Sequence, residues 1–133
     1  MKLTKEDARA IADALRKAAE AVDKYLDDNY KKISREEYES LYESFHTIQR
    51  ISSFATTVAV GLALDALTKP AAELKKVIKQ AKEKIETLKT IGHVIRVVAG
   101  VVDLAASVMA RDPNAIVTSV TNLGNLMKET EDV

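Results

Sequence analysis

The stretch from Thr90 to Asp112 constrains the fold of this chain more than any other part of the sequence. It reads TIGHVIRVVAGVVDLAASVMARD, and apolar or small residues fill most of its helical circumference. A helix that is apolar nearly all round is stable in water only when neighbouring elements cover it. This stretch therefore predicts a central helix that is enclosed by other helices.

The composition favours an all-α fold. The chain has only four Gly and two Pro, and it is rich in the strong helix formers Ala, Leu, Lys and Glu. Its 133 residues, 47% of them hydrophobic, are enough to bury one proper core. We expect a single helical domain over residues 1–133.

The spacing of apolar residues predicts four helices. The first extends to about Asn29, and the second follows Ser34, which forms a capping box with Glu37. The third begins at Pro70 and the fourth at Pro113, because the missing amide proton of proline costs nothing in a first helical turn. Short turns between successive helices indicate antiparallel neighbours. We therefore predict an antiparallel up-down-up-down four-helix bundle with long second and third helices.

Two positions in the long helices leave alternatives open. Ser52 and Ser53 could mark a bend in the second helix, and Thr90 and Gly92 could mark a break that divides the third. A seven-residue pattern predicts the buried seam in the second half of the third helix, and branched residues widen its apolar face. The predicted seam consists of Gly92, Ile95, Ala99, Val102, Ala106 and Met109, and the widening residues are Val94, Val97, Val98, Val101, Leu104 and Val108.

The second half of helix two is apolar on nearly every side. In a straight four-helix layout, the short fourth helix does not reach this region, so its outer face stays uncovered. We predict that this face is an interaction surface for a second copy of the chain or for a partner helix. The sequence leaves open three other ways to shield this face from water: an apolar ligand, a membrane surface, or a bend that folds the face inward. The predicted surface consists of Phe54, Val60, Leu64 and Leu67.

The two histidines are the candidate cofactor ligands. Glu43 and His46 form one Glu-x-x-His pair, whereas Thr90 stands where His93 would need its matching glutamate. Because a carboxylate-bridged di-metal bundle needs two such pairs, we predict no metal site. A haem held by His46 and His93 among small residues is the alternative function, although the pattern places both side chains outward and we expect no cofactor.

The sequence argues against several functional classes. Twenty Lys and Arg balance twenty Asp and Glu, so no net positive field attracts nucleic acid. The absence of cysteine excludes disulfides, thiol catalysis and Cys-based zinc sites. We find no Gly-rich phosphate loop and no Ser/His/Asp set, so we do not expect an enzyme. The charged start, MKLTKEDARA, carries no export signal, and we expect a soluble, cytoplasmic protein.

Contact with a membrane is not favoured. The uncharged segment from Ile51 to Leu64 is shorter than the ~20 residues that a spanning helix requires. Arg96 and Asp103 interrupt the second apolar stretch. A bundle that opens and inserts its apolar helices into a bilayer is kept as a further alternative.

Two segments resemble the helices of computationally designed or redesigned bundles. LTKEDARAIADALRKAAEAVDKYL and TKPAAELKKVIKQAKEKIETLK share their deliberate capping and their Ala, Lys and Glu filling. FHTIQRISSFATTVAVGLAL and DPNAIVTSVTNLGNLM depart from that style, and a partly redesigned or a natural helical protein fits equally well. The resemblance concerns style and implies no functional residues. Taken together, these features predict a non-enzymatic helical scaffold or protein-interaction module.

Overall fold

The computed structural model describes residues 5–54, 71–88, 90–110 and 112–130. This part of the chain is all-α, as predicted, and it contains no strand. It holds five helices, so the predicted count of four is not confirmed. The helices are α1 (Lys5–Asn29), α2 (Arg35–Phe54), α3 (Ala71–Thr87), α4 (Ile91–Ala110) and α5 (Pro113–Thr130).

The predicted third helix is divided in the structure, because α3 ends at Thr87 and α4 begins at Ile91. There Thr90 starts a new helix, because its carbonyl oxygen accepts hydrogen bonds from the backbone N–H groups of His93 (3.1 Å) and Val94 (3.2 Å). The break that the sequence left open near Gly92 is therefore present. α2, in contrast, continues through Ser52 without interruption.

Side-chain caps fix two helix starts where the sequence predicted them. The Ser34 N–H donates to Glu37 Oε1 at 2.8 Å, and the Glu37 N–H donates back to Ser34 Oγ at 3.1 Å. Before α5, the backbone N–H groups of Asn114 and Ala115 donate to Asp112 Oδ1 at 3.1 and 3.2 Å. The predicted start at residue 70 lies outside the described residues.

The helices pack as two groups, α1–α3 and α4–α5, which share one core. α1 packs mainly against α2 and α3, whereas α4 packs mainly against α5 and α2. Residues 21–29 of α1 and residues 85–88 line one groove, so α1 and α3 run side by side in the same direction. A straight third helix would have laid residues 91–110 along both α1 and α2. The break instead leaves α4 with only slight contact to α1.

Every described helix contributes one face to the hydrophobic core. The apolar residues of α1, α3 and α5 repeat at helical spacing, so they lie on one side of each helix, and this side is buried. The largest fully buried side chains are Ile11, Leu15, Val22, Leu26, Leu41, Ile48, Ile78, Ile85, Leu104, Ile116 and Leu123.

Candidate interaction surface

α4 buries the face that carries most of its branched side chains. All of the residues that the sequence placed as a widening of the apolar face are fully or almost fully buried. They are Val94, Val97, Val98, Val101, Leu104 and Val108. This face therefore supplies the contribution of α4 to the core.

The predicted buried seam of α4 lies on the outer side of the helix, so the prediction was wrong for this half of the third helix. Its Gly and Ala residues and Met109 are exposed, and its two branched residues are half-buried. The reason is that burial of Val and Leu side chains removes more apolar area from water than burial of Gly and Ala. We call Gly92, Ile95, Ala99, Val102, Ala106 and Met109 the outer stripe of α4.

Contacts with α5 fix the rotation of α4 about its axis. A methyl group on Gly100 would lie only 2.8 Å from Leu123 Cδ1 and 3.2 Å from Leu126 Cδ1, so the two helices approach closely at this glycine. Seven residues further on, the Ser107 and Ser119 hydroxyls are 3.0 Å apart. Since the Ser107 hydroxyl also bonds the Asp103 carbonyl at 2.9 Å, the buried polar atom is satisfied. These contacts leave Gly92, Ala99, Ala106 and Met109 of the outer stripe exposed, whereas Ile95 and Val102 are half-buried and also pack against the edge of the core.

Two opposite charges border the outer stripe. Arg96 and Asp103 are the only Arg, Lys, Asp or Glu residues of α4, and both are exposed. They are seven residues apart, so they lie above one another on the same edge of the stripe. The rest of this edge is uncharged. Met109 is the most exposed large apolar residue of the stripe, and 41% of its surface is exposed.

The two candidate haem ligands lie in different surroundings. His46 is exposed on α2, and its ring contacts Tyr42 edge-on at 4.5 Å between centroids. His93 is half-buried near the start of α4, and its buried Nδ1 atom has no hydrogen-bond partner among the described residues. Neither histidine lines one of the described grooves.

A row of aromatic side chains on α2 was missed by the sequence analysis. Tyr38 and Tyr42 stack with ring centroids 6.1 Å apart, and Phe45 follows at 6.5 Å from Tyr42. Tyr42 is 46% exposed. The spacing of four and three residues along one helix was the signal that could have revealed this row.

The predicted interaction surface of helix two stays a prediction. α2 reaches Phe54, whose side chain is not described, and Val60, Leu64 and Leu67 lie outside the described residues.

The grooves on the described surface are open, and their lining mixes polar and apolar atoms. Their volumes are about 480, 550 and 580 Å³. In the first groove, burial raises the pKa of the Tyr25 hydroxyl, and the negative charge of Glu37 raises this pKa further. Among the described residues no group of three His, Asp or Glu side chains is placed to hold a metal ion.

Within the described ranges, α4 is the one helix with the length and apolar character that crossing a membrane requires. The core helix of a water-soluble protein meets the same criteria, so these properties alone do not indicate a membrane-spanning helix.

Comparison of the chain with protein-family models, with curated proteins and with solved structures finds no match in any of the three.

Proposed function

We propose that this chain is a non-enzymatic helical-bundle scaffold or protein-interaction module that associates through an exposed apolar helix face. The observation that carries the proposal is the outer stripe of α4, which repeats apolar and small residues along a solvent-facing side. A helix that is apolar on two sides needs a cover on each. The core covers one side of α4, and association would cover the other.

The late face of helix two is the second candidate surface for the same function. Phe54, Val60, Leu64 and Leu67 remain proposed contact residues on sequence grounds, because they are apolar at helical spacing. The two surfaces can be separated by mutation. Ala106→Glu places a charge on the outer stripe, whereas the double change Val60→Glu and Leu64→Glu places charges on helix two.

Solution mass as a function of concentration tests this function. We expect wild-type protein to form a species heavier than the 14.6 kDa single chain. One of the two Glu variants should restore the single-chain mass while its circular dichroism stays fully helical. Asn122→Glu, at an exposed position of α5, is the matched control and should leave the mass of the associated species unchanged.

A single-chain mass at every concentration would refute association between copies. Loss of helical structure in the Val60 and Leu64 variant would instead assign these residues to the core. Loss of helical structure in Ala106→Glu would do the same for the outer stripe.

A carrier of an apolar ligand or haem is the second candidate function. The observation in its favour is the unpartnered Nδ1 atom of half-buried His93, because a buried polar atom without a partner is uncommon. Titration with haem should then produce a shifted Soret band that weakens in His93→Ala and in His46→Ala. An unshifted band in the wild-type protein excludes this candidate.

A further inference from the structure

The outer stripe of α4 contains two interleaved rows, each with a strict repeat of seven residues. Such a repeat lets two helices remain in contact over their whole length. Over its span the stripe covers roughly 26 Å of helix, at ~1.5 Å per residue. The small row consists of Gly92, Ala99 and Ala106, and the large row of Ile95, Val102 and Met109.

Resting on the proposed function, we propose that the partner of this surface is a second copy of the chain, with the two α4 helices antiparallel. In antiparallel packing of a seven-residue repeat, each layer pairs a residue of one row with a residue of the other row. The layers are then Ala99 with Val102 of the second copy, Ala106 with Ile95, and Gly92 with Met109. Each layer combines one small and one large side chain, so all layers have similar width.

A parallel arrangement fits the same residues poorly. Each layer would then pair a residue with its own copy. Gly92, Ala99 and Ala106 would leave gaps, whereas Ile95 and Met109 would force the helices apart. The order of small and large residues therefore favours the antiparallel arrangement.

The bordering charges favour the same arrangement independently. In the antiparallel register, Arg96 of one copy lies beside Asp103 of the other, and the twofold axis repeats the pair. In a parallel register the residues across from Arg96 and Asp103 come from the row of Ile91, Val98 and Ala105, which is uncharged. Arg96 also interacts within its own chain, and its five N–H donors allow a second contact.

Mixing of two single-cysteine variants tests the arrangement. Because the chain contains no cysteine, Ile95→Cys and Ala106→Cys each introduce a unique thiol. After mixing, subunit exchange and mild oxidation, we expect a covalent dimer that joins one variant to the other. Each variant alone should remain largely uncrosslinked, since neither thiol lies beside its own copy. Size exclusion and circular dichroism before oxidation check that both variants fold and associate.

The outcomes separate the inference from the proposed function. Crosslinking of each variant with itself would show a parallel contact, and no crosslinking in an associated protein would place the interface elsewhere. Either result overturns the inference and leaves the interaction module standing. A protein that never associates overturns both.

Charge exchange supplies a second test that needs no oxidation. Arg96→Asp should weaken the dimer by about three- to tenfold, because it replaces two attractive contacts with repulsive ones. The double variant Arg96→Asp and Asp103→Arg should recover most of that loss, since the swapped charges face each other again. A double variant that is as weak as the single one would contradict the antiparallel register.

Discussion

The helices α1–α3 and the hairpin α4–α5 differ in the charge on their outer sides. α1–α3 carry surface ion pairs on their outer sides, such as Lys17 with Asp13 and Lys82 with Glu86, each at 3.1 Å. α4 carries only Arg96 and Asp103, and its mean hydropathy is the highest among the described helices. The charged helices need a cover on one side only, whereas α4 needs a cover on two. The second side of α4 is therefore the proposed contact surface.

Buried apolar side chains join the helices in both regions, and the α4–α5 hairpin adds a close helix approach and a polar contact. α4 and α5 approach each other closely at Gly100, and a hydrogen bond between the Ser107 and Ser119 hydroxyls joins them. Ion pairs within single helices decorate α1–α3 without joining one helix to another. Mutations in the hairpin should therefore affect stability more than mutations of surface charges.

The largest effect is expected for Leu123→Ala, because this fully buried side chain packs against Gly100. Loss of a buried leucine should lower the free energy of unfolding by about 2–5 kcal/mol. Urea denaturation followed by circular dichroism measures the change. Leu126→Ala removes the same atoms from a half-buried position of α5, and an equal loss there would contradict the assigned packing.

A methyl group at Gly100 should give the next largest effect. Gly100→Ala forces a contact of 2.8 Å with a buried side chain, and we expect a net loss of about 1–2 kcal/mol in unfolding free energy. Gly124→Ala is the matched control, since nothing lies within 4 Å of its added methyl group. That variant should be more stable by up to about 1 kcal/mol. Equal stabilisation of both variants would refute the close approach.

The Tyr25 hydroxyl should make the stability of the α1–α3 region sensitive to alkaline pH. Its raised pKa means that the folded state holds the proton more tightly than the unfolded chain does. This contribution is fully present below about pH 10, the ordinary pKa of tyrosine, and is lost as the pH rises through the raised folded-state pKa. The difference in phenolate absorbance between wild type and Tyr25→Phe follows the titration of this group.

We expect that difference titration to have a midpoint above the ordinary value. Glu37→Gln should lower the midpoint only slightly, because burial is the larger cause of the shift. A midpoint at or below the ordinary value would show that Tyr25 is not buried between α1 and α3.

The smallest effect is expected at the Lys82–Glu86 ion pair, where both side chains are more than one-third exposed. Glu86→Gln should cost about 0.2–0.5 kcal/mol in unfolding free energy at low salt. The cost should vanish at high ionic strength, since salt screens exposed charges. A loss comparable to that of Leu123→Ala would remove the contrast between the two regions.

Much of the helical framework could be predicted from local sequence chemistry. The Ser34 box and the Asp112 cap depend on side chains within three residues of the amides they bind, so sequence spacing is sufficient. The buried sides of α1 and α5 also follow from residue spacing, because each of those helices has one apolar side.

The orientation of α4 could not be predicted from the same kind of pattern. Both sides of this helix repeat apolar residues, and a period alone does not state which side faces the core. The choice depends on the volume of the branched side chains and on the close approach of Leu123 to Gly100, which is a contact between separate helices. The sequence pattern grouped the residues of the outer stripe correctly, but only the structure shows that they lie on the outer side of α4.

We expect the outer stripe of α4 to be covered by an antiparallel second copy. Methyl labelling of methionine in a mixture of labelled and unlabelled protein tests it most directly by NMR. Within one chain, Met109 and Gly92 are separated by roughly 26 Å of helix, at ~1.5 Å per residue, so a nuclear Overhauser effect between them must cross between copies. We expect such an effect between the Met109 methyl group and the Gly92 α-protons. An effect between the Met109 methyl groups of the two copies, or a protein whose Met109 contacts no second copy, would contradict the claim.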